Sequence, residues 1–343
     1  MAYTAIDDPS AYFKVQLYTG TGSSNAITFN DTDTDMQPDL VWVKKRDATG
    51  DHYANDSVRG VTKKIEVNST SAEETDTNSL TAFGSDGFTV GSTGAFNSSS
   101  NTFVAWCWKE SAVSGFDIVA YEGNATAKTV SHSLSAVPHV MLAMNRDSAN
   151  NKHLYHHKNT SAPETDYLNI NTTGATDDAL SVWNDTAPTS SVFTVGDGDT
   201  TNNDGDSIIA YLFSEKQGFS KFGTYVGNSN VDGAFVYTGF KPAFVMTKAS
   251  ENTSGSNNWF MADNKRHSVA PASGGTNFNV IDRQLYANLN NADDTNSSID
   301  FLSNGFKWRR DGGDTNTTGR TFVYMAFAEA PFVNSNGVPC NAR

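Results

Sequence analysis

The sequence has 343 residues, enough for two or three domains of ordinary size, and a formal net charge of −14. A surface this acidic repels phosphate backbones and anionic lipid, so neither nucleic acid nor a membrane is expected as a partner. Hydrophobic residues make up 37% of the chain, with 21 Phe, 12 Tyr and 6 Trp, which excludes a disordered protein. Two cysteines, Cys107 and Cys340, exclude a disulfide framework, and neither a bilayer-spanning apolar run nor an export signal is recognisable.

Four landmarks recur in the same order along the chain. Each copy begins with a Tyr before a Gly turn, continues with a Pro that opens an apolar run and a Phe after a turn, and ends with an apolar strand closed by Glu. In chain order they are Tyr18, Pro38, Phe88 and Glu110; Tyr121, Pro138, Phe193 and Glu215; Tyr225, Pro242, Phe306 and Glu329. The first and last intervals keep nearly the same length in each copy, whereas the middle interval lengthens. This pattern predicts three tandem units of roughly 100 residues with variable surface loops.

The run that closes each copy is apolar at both odd and even positions, over 103–108, 208–213 and 322–327. Such a run, bounded by polar turns, predicts a central strand buried on both faces. Elsewhere short alternating runs, such as 116–121 and 234–237, are separated by Gly, Asn and Asp clusters, and no stretch has a 3.6-residue period. An all-β fold is therefore predicted, made of tandem β-sandwich or jelly-roll-like units.

The predicted unit boundaries follow from the landmarks. They place the units at 1–112, 113–217 and 218–332, with a C-terminal tail at 333–343. The joints between units are short, so we expect the units to pack against one another. The tail lacks a strand pattern and is expected to become ordered only against a neighbouring protein.

No pattern of an enzyme active site is present. The sequence lacks a nucleophile elbow, a P-loop, a dinucleotide-binding fingerprint, a zinc-protease helix motif and paired cysteines. Glu110, Glu215 and Glu329 occupy one position in separate copies, so they are expected to lie too far apart to act as a carboxylate pair. We interpret them as strand-end residues that accept backbone N–H bonds, and predict no catalytic residue and no enzymatic activity.

Two acidic segments are candidates for calcium. One is Asp31–Asp35, and the other contains Asp197, Asp199 and Asp204. Alternating Asp side chains can direct oxygens to one hard cation, but both segments lack the Gly and the closing Glu of an EF-hand. Solvated turns are therefore the favoured interpretation, with Asp197, Asp199 and Asp204 kept as weak metal candidates and no cofactor required.

A histidine-rich segment, His153–His157, is the densest His cluster. In a strand, His153 and His157 would share one face, which suits either a metal-binding or a pH-sensitive patch. An exposed polar strand is the favoured interpretation, because only two candidate ligands would share that face.

Two tryptophans lie in polar surroundings typical of sugar-binding sites. Trp183 is followed by Asn184 and Asp185, and Trp259 is preceded by Asn258. A ring platform with Asn or Asp side chains beside it offers a sugar both flat apolar contact and hydrogen bonds. These five residues are the predicted ligand-binding positions, and the alternative is that both tryptophans belong to the core of their unit.

Several long motifs resemble a repeat-bearing family of virion proteins from marine tailed phages, including phages of cyanobacteria. The motifs are Pro38–Lys44, Ser85–Phe88, Gly223–Asn228, Asp232–Met246, Asp300–Phe306 and Tyr324–Phe332. The resemblance extends over nearly the whole chain. It implies lectin-like β-sandwiches displayed on the virion after assembly in the host cytoplasm, most often as a tail or tail-fibre protein, and it implies no catalytic residues.

The leading hypothesis is a structural virion protein, a tail fibre or tail-associated receptor-binding protein. It would bind other virion proteins and a host-surface glycan, through loops within 45–82, 145–190 and 249–300, and would form a homo-oligomer. One alternative is a capsid decoration or collar assembly protein without a ligand, held by its N-terminal arm and tail. A remote alternative is a polysaccharide depolymerase.

Overall fold

The computed structural model describes residues 3–29, 34–251, 257–267, 280–295 and 299–340. The fold is all-β, with 43% of residues in strands and 7% in helices, as predicted. The four α-helices in these residues are single turns: α1 Gly94–Asn97, α2 Leu180–Trp183, α3 Asp199–Asn202 and α4 Gly313–Asn316. Two 3-10 turns lie at Pro9–Ala11 and Pro163–Thr165. No described helix is long and apolar enough to cross a membrane.

Three groups of antiparallel strands follow one another along the chain. The first group is β1 Phe13–Thr19, β2 Asn25–Thr28, β3 Leu40–Lys45, β4 His52–Asp56, β5 Lys63–Glu66, β6 Glu74–Thr75, β7 Leu80–Gly84, β8 Gly87–Val90 and β9 Thr102–Trp108. The second is β10 Phe116–Glu122, β11 Lys128–Ser131, β12 Val140–Asn145, β13 His153–His156, β14 Asp166–Asn169, β15 Asp177–Asp178, β16 Val192–Val195 and β17 Ser207–Phe213. The third is β18 Ser220–Val226, β19 Phe235–Tyr237, β20 Phe240–Ala249, β21 Phe260–Asp263, β22 Val280–Ile281, β23 Leu285–Tyr286, β24 Ile299–Leu302, β25 Gly305–Trp308 and β26 Thr321–Pro331.

Each group contributes one large sheet and one small sheet. Large sheet I has the order β1-β9-β3-β4-β5-β6, sheet II has β10-β17-β12-β13-β14-β15, and sheet III has β18-β26-β20-β21-β23. The corresponding small sheets are β2-β8-β7, β11-β16 and β19-β25-β24-β22. In each large sheet the last long strand lies between the first strand and the strand that follows the landmark Pro or, in sheet III, contains it. The boundaries at 112, 217 and 332 stay predictions.

Side chains of the central strands alternate between two cores. Val41 and Val43 of β3 face the small sheet of their own group, whereas Leu40 and Trp42 face a core shared by all three large sheets. This alternation is the expected consequence of the two-residue period of a strand. It explains why the closing runs are apolar at both parities, since each of these strands is buried on both faces.

An aromatic triangle lies at the centre of the shared core. It consists of Trp108, Phe213 and Phe327, one from the closing strand of each large sheet. The ring centroids are 6.3 Å apart for Trp108 and Phe213, 5.6 Å for Trp108 and Phe327, and 5.7 Å for Phe213 and Phe327. Aromatic pairs at these distances add to the stabilisation that burial alone supplies. The three sheets therefore meet face to face around one point.

Equivalent backbone contacts join each large sheet to the next. The N–H of Glu73 in the first group donates to the Arg146 carbonyl at 2.8 Å, and the N–H of Thr176 in the second donates to the Ser250 carbonyl at 2.9 Å. The N–H of Asp293 in the third group donates to the carbonyl of Arg46 at 2.6 Å, which closes a ring of contacts.

A buried lysine supports each of these junctions. The ammonium groups of Lys44, Lys152 and Lys248 donate to loop carbonyls of a neighbouring group, those of Asn290, Ser71 and Gly174 respectively. Burial lowers the pKa of each lysine to about 8.

A buried asparagine ties three segments together inside each group. The Asn202 side chain donates to the carbonyls of Gly196 and Thr126 and accepts the N–H of Asn124 at 3.0 Å. Asn97 and Asn316 make the same set of bonds in the other two groups. Fully satisfied buried amides of this kind fix one arrangement of the surrounding loops, because any other arrangement would leave polar groups unpaired.

The described part of the C-terminal tail, residues 333–340, bonds to its own chain, whereas the sequence predicted that only a neighbouring protein would order the tail. Asn334 accepts the N–H of Val338 through its side chain, and Gly337 takes the positive φ of 79° that the turn requires. Asp7 of the N-terminal arm accepts the backbone N–H of Ser335 at 2.6 Å. The arm and the described part of the tail therefore lie side by side.

Replacing Phe213 by Ala should lower the free energy of unfolding by about 3–5 kcal/mol, because it opens a cavity in the aromatic triangle. Amide exchange should then accelerate in strands of all three large sheets. Phe193→Ala is the matched control, since Phe193 lies in the core between sheet II and its own small sheet. Exchange confined to sheet II in both variants would contradict the central role of the triangle.

Candidate functional site

The two tryptophans predicted as sugar platforms are buried, so the alternative interpretation, that both are core residues, is the correct one. Trp183 and Trp259 are each 1% exposed. Trp183 packs beside Tyr155, with ring centroids 6.1 Å apart, in the core of the second group. The Trp259 indole N–H donates to the carbonyl of Asn169 at 2.8 Å, across the junction between sheets II and III.

The polar residues predicted beside those tryptophans do not form a site with them. Asn184 and Asp185 form a left-handed turn after α2, with φ of 54° and 43°, while the Trp183 ring points into the core. Asn258 binds both carboxylate oxygens of Asp314, through its backbone N–H at 3.0 Å and its side-chain amide at 3.2 Å. Asn258 is thus a structural residue of its loop.

The predicted metal candidates do not converge. Asp197, Asp199 and Asp204 lie around α3, and no group of three His, Cys, Asp or Glu residues in the described chain is placed to hold a metal ion. Asp31 and Asp33 lie outside the described residues. The sequence spacing alone therefore gave candidates that the backbone does not bring together.

Glu110 and Glu215 follow β9 and β17 at the joints between groups, whereas Glu329 lies within β26. Glu110 accepts the N–H of Ile118 at 3.1 Å, and Glu215 accepts the N–H of Phe222 at 2.8 Å, as predicted. Glu329 instead binds Lys241 and Asn264, each at 2.8–2.9 Å. The first two anchor the opening strand of the next group.

Glu110 has an acidic neighbour where Glu215 has a basic one. Burial, together with a hydrogen bond to Asp117, raises the pKa of Glu110 to about 7. The strand register places Lys221 at the position of Asp117, and Lys221 pairs with Glu215 at 2.8 Å.

His156 is buried and His153 and His157 are half-buried, contrary to the prediction of an exposed strand. His153 bonds to the Asn169 side chain at 2.7 Å, while the His157 ring bonds to the Phe222 carbonyl at 2.8 Å. The two rings therefore have different partners and do not converge on one metal position. β13 is an inner strand of sheet II and faces sheet III, which no local pattern in the sequence reveals.

Two exposed aromatic side chains lie on β19, the edge strand of the third small sheet. Phe235 is 47% exposed and Tyr237 is 54% exposed, while Val236 between them is buried. They are the only aromatic residues among the exposed large apolar side chains of the described chain. Since strand residues two apart point the same way, both rings lie on the outward face of the sheet. We call this surface the aromatic face.

Charged side chains border the aromatic face. Lys307 of β25 pairs in register with Phe235, and its ammonium binds the Asp232 carboxylate at 2.6 Å. Arg309 binds Asp232 at 3.3 Å and Asp300 at 2.6 Å. Gly305 lies opposite Tyr237, and a side chain there would meet the Phe235 ring. The surface therefore combines ring faces with donors and acceptors held in fixed pairs.

The N-terminal arm touches the edge of this face. The Tyr3 hydroxyl donates to the carbonyl of Gly239 at 2.9 Å and lies 3.2 Å from the Tyr237 hydroxyl. Burial and the contact with Tyr237 raise the pKa of Tyr3. The arm thus holds the outer end of the Tyr237 ring in place.

The other two small sheets lack these aromatics. In the β2–β8 ladder, Ala26 and Thr28 occupy the positions of Phe235 and Tyr237, and in the β11–β16 ladder the equivalents are Thr129 and Ser131. The same backbone position thus accepts a small polar side chain in two groups. The fold therefore does not require aromatic residues on β19.

Comparison with known protein families matches residues 8–331 to a domain of unknown function, DUF7483. The chain belongs to this family. No curated protein matches the sequence. The DUF7483 match spans both the shared core and the aromatic face.

Glu110→Gln should stabilise this DUF7483 chain by about 1–2 kcal/mol at pH 8. The folded pKa of Glu110 lies above its unfolded value, so its contribution to stability is lost as pH rises from about 4.5 to about 7. The amide keeps the acceptor for Ile118 and removes the charge beside Asp117. Urea unfolding at pH 8 and pH 4.5 measures the difference, which should vanish at the lower pH.

Glu215→Gln is the matched control and should bring no gain, because it removes the ion pair with Lys221. Equal gains in the two variants would show that the neighbour of the glutamate does not determine the effect.

Proposed function

We propose that this chain is a structural, non-catalytic virion protein, a tail fibre or tail-associated protein that contacts a host-surface glycan through the aromatic face. The observation that carries the binding role is the exposure of Phe235 and Tyr237 on a strand whose equivalents carry small or polar residues. Exposed large apolar side chains on a rigid sheet mark a binding surface. The virion assignment rests on the resemblance of the sequence motifs to the marine phage family.

The chemistry of the aromatic face suits a sugar. The apolar face of a pyranose ring stacks on aromatic side chains, and its hydroxyls need donors and acceptors close by. Lys307, Arg309 and Asp232 supply both kinds of group at the border. Several copies of a single weak site gain affinity by multivalency, which is the role we assign to a homo-oligomer on the particle.

The proposed binding surface lies on the third group of strands. The proposed surface replaces the loops near Trp183 and Trp259, because those side chains are buried. Asp300 of β24, which pairs with Arg309, links it to the described part of the 249–300 segment. The proposed glycan contact is therefore a sheet face, and not the variable loops that the sequence suggested.

Tyr237→Ser should weaken binding of the purified protein to its glycan about tenfold, since one stacking contact is lost. A bacterial surface-glycan array, followed by calorimetry on any hit, measures the effect. Ser is the residue at the equivalent position 131, so folding should be preserved. Thermal unfolding of the variant checks this.

Ser131→Ala on the second small sheet is the matched control and should bind like the original protein. Absence of any array signal, or equal losses in the two variants, would overturn the aromatic face as the contact. Release of new reducing ends from a bound polysaccharide would contradict the non-catalytic role.

A capsid decoration or collar subunit without a ligand is the second candidate. It is favoured by the pairing of the arm with the tail through Asp7 and Ser335, which gathers both ends of the described chain on one surface. Deleting residues 333–343 separates the two candidates. Loss of incorporation with glycan binding intact supports the fibre, whereas general loss of particle stability supports a decoration role.

A further inference from the structure

The junction between sheets II and III contains three histidines, of which His156 is buried and His139 and His157 are half-buried. The His156 ring, 1% exposed, donates from Nε2 to the carbonyl of Tyr324 on β26 at 3.1 Å. Its Nδ1 accepts the backbone N–H of Lys158 at 3.1 Å. Because an atom that accepts an N–H carries no proton, both contacts together require the neutral ring with its proton on Nε2.

A second histidine is held neutral in the same way. Nδ1 of His139 accepts the backbone N–H of Glu215 at 3.1 Å. The His139 ring stands perpendicular to that of His157, with centroids 4.4 Å apart, and His157 donates to the Phe222 carbonyl on β18. Three histidines thus lie where strands β18 and β26 of sheet III meet sheet II.

The other two junctions have ion pairs at the equivalent positions. Asp56 and Arg59 form an ion pair in the first group, and the Tyr211 hydroxyl of sheet II donates to the Asp56 carboxylate at 2.8 Å. Asp263 and Arg266 form an ion pair in the third group, and the Trp106 indole N–H of sheet I donates to the Asp263 carboxylate.

The strand register shows which residues correspond. It aligns His156 with Asp56 and Asp263, which places Asn159 where the other groups have Arg. The junction between sheets II and III is therefore the only one of the three with a histidine at this position in place of the Asp–Arg pair.

We infer that the histidine junction is an acid-sensitive seam, at which sheets II and III separate in acid while the Asp56–Arg59 junction between sheets I and II stays closed. The junction between sheets III and I contains another buried histidine, His52, so it does not serve as the acid-stable reference. Protonation of Nδ1 in His156 or His139 breaks the bond accepted from the backbone and turns two donors toward each other. At His156, which is 1% exposed, it also places a cation in a site from which water is excluded.

The charged groups around the seam do not compensate such a cation. Lys158 lies on the loop after β13 and Lys221 on β18, and both add positive charge. Glu215, at the end of β17, is the nearby carboxylate, 3.8 Å from the His157 ring and already paired with Lys221. Tyr324 of β26 is neutral, and burial raises its pKa. Added protons therefore meet no unpaired anion among these groups.

The direction of the pH effect follows from burial. Burial lowers the pKa of His156 to about 3 and that of His139 to about 4, whereas an opened junction returns both toward 6.5. Stability at the seam is thus full above pH 6.5 and falls as the pH decreases below it. For His156 alone, the opening equilibrium should rise roughly 100-fold between pH 8 and pH 4.5.

Hydrogen exchange of the full chain, corrected for intrinsic rates, tests the inference. At pH 4.5, protection should fall in β18 and β26, which cross the seam. It should persist in β17, which contributes Tyr211 to the junction between sheets I and II. An equal loss of protection in β17 would overturn the seam.

His156→Gln is the decisive variant, because Gln can donate to Tyr324 and accept from Lys158 without taking up a proton. It should remove the roughly 100-fold share of the pH response of β18 and β26 that His156 contributes and leave the share of His139. His153→Gln, which changes a half-buried histidine bonded to Asn169 within sheet II, is the matched control and should leave the response unchanged. An unaltered response in His156→Gln would refute the inference. His139→Gln serves as the second variant if His156→Gln does not fold at pH 7.

Discussion

The contact among Trp108, Phe213 and Phe327 is the constraint on which the rest of the structure depends. Each ring belongs to the closing strand of its large sheet, so their contact fixes how all three sheets face one another. Each closing strand meets this core on one side and its own small sheet on the other, which is why it is apolar over 103–108, 208–213 and 322–327. The arrangement leaves an apolar cavity of about 30 Å³ at the centre, too small and too apolar to serve as a ligand site.

The junctions between sheets follow from that packing. Once the three sheets surround one point, the loop of each group necessarily lies against a strand of the next. The backbone bonds to Arg146, Ser250 and Arg46 run in the same direction around the ring, so the contact from the third group to the first closes it. A closed ring leaves no unmatched copy of this contact at either end of the chain, so further assembly has to use other surfaces.

Sequence patterns predicted the features that repeat and missed those that depend on which group is the neighbour. The closing strands, and the hydrogen bonds that Glu110 and Glu215 accept, were predictable. Both the repeated position of the glutamates and the apolar residues on both faces of the strands are visible in the sequence itself. The burial of Trp259 was not, because its indole N–H bonds to the Asn169 carbonyl of another group. The exposed aromatic residues of β19 could have been recognised from the sequence. In an alternating strand, Tyr237 occupies a position that is polar in the other two groups, where Thr28 and Ser131 stand.

At the positions that differ among the three groups, the fold does not require one particular type of side chain. Two groups retain an Asp at the junction position where the other has His156, and two small sheets retain polar residues where the third has Tyr237. Since the backbone register is the same at each of these positions, the exchange changes chemistry without changing shape. The histidine alters how one junction responds to protons, and the tyrosine alters what one outer face can bind. Because the two sites lie on different elements and share no hydrogen bond or ion pair, each can vary without the other.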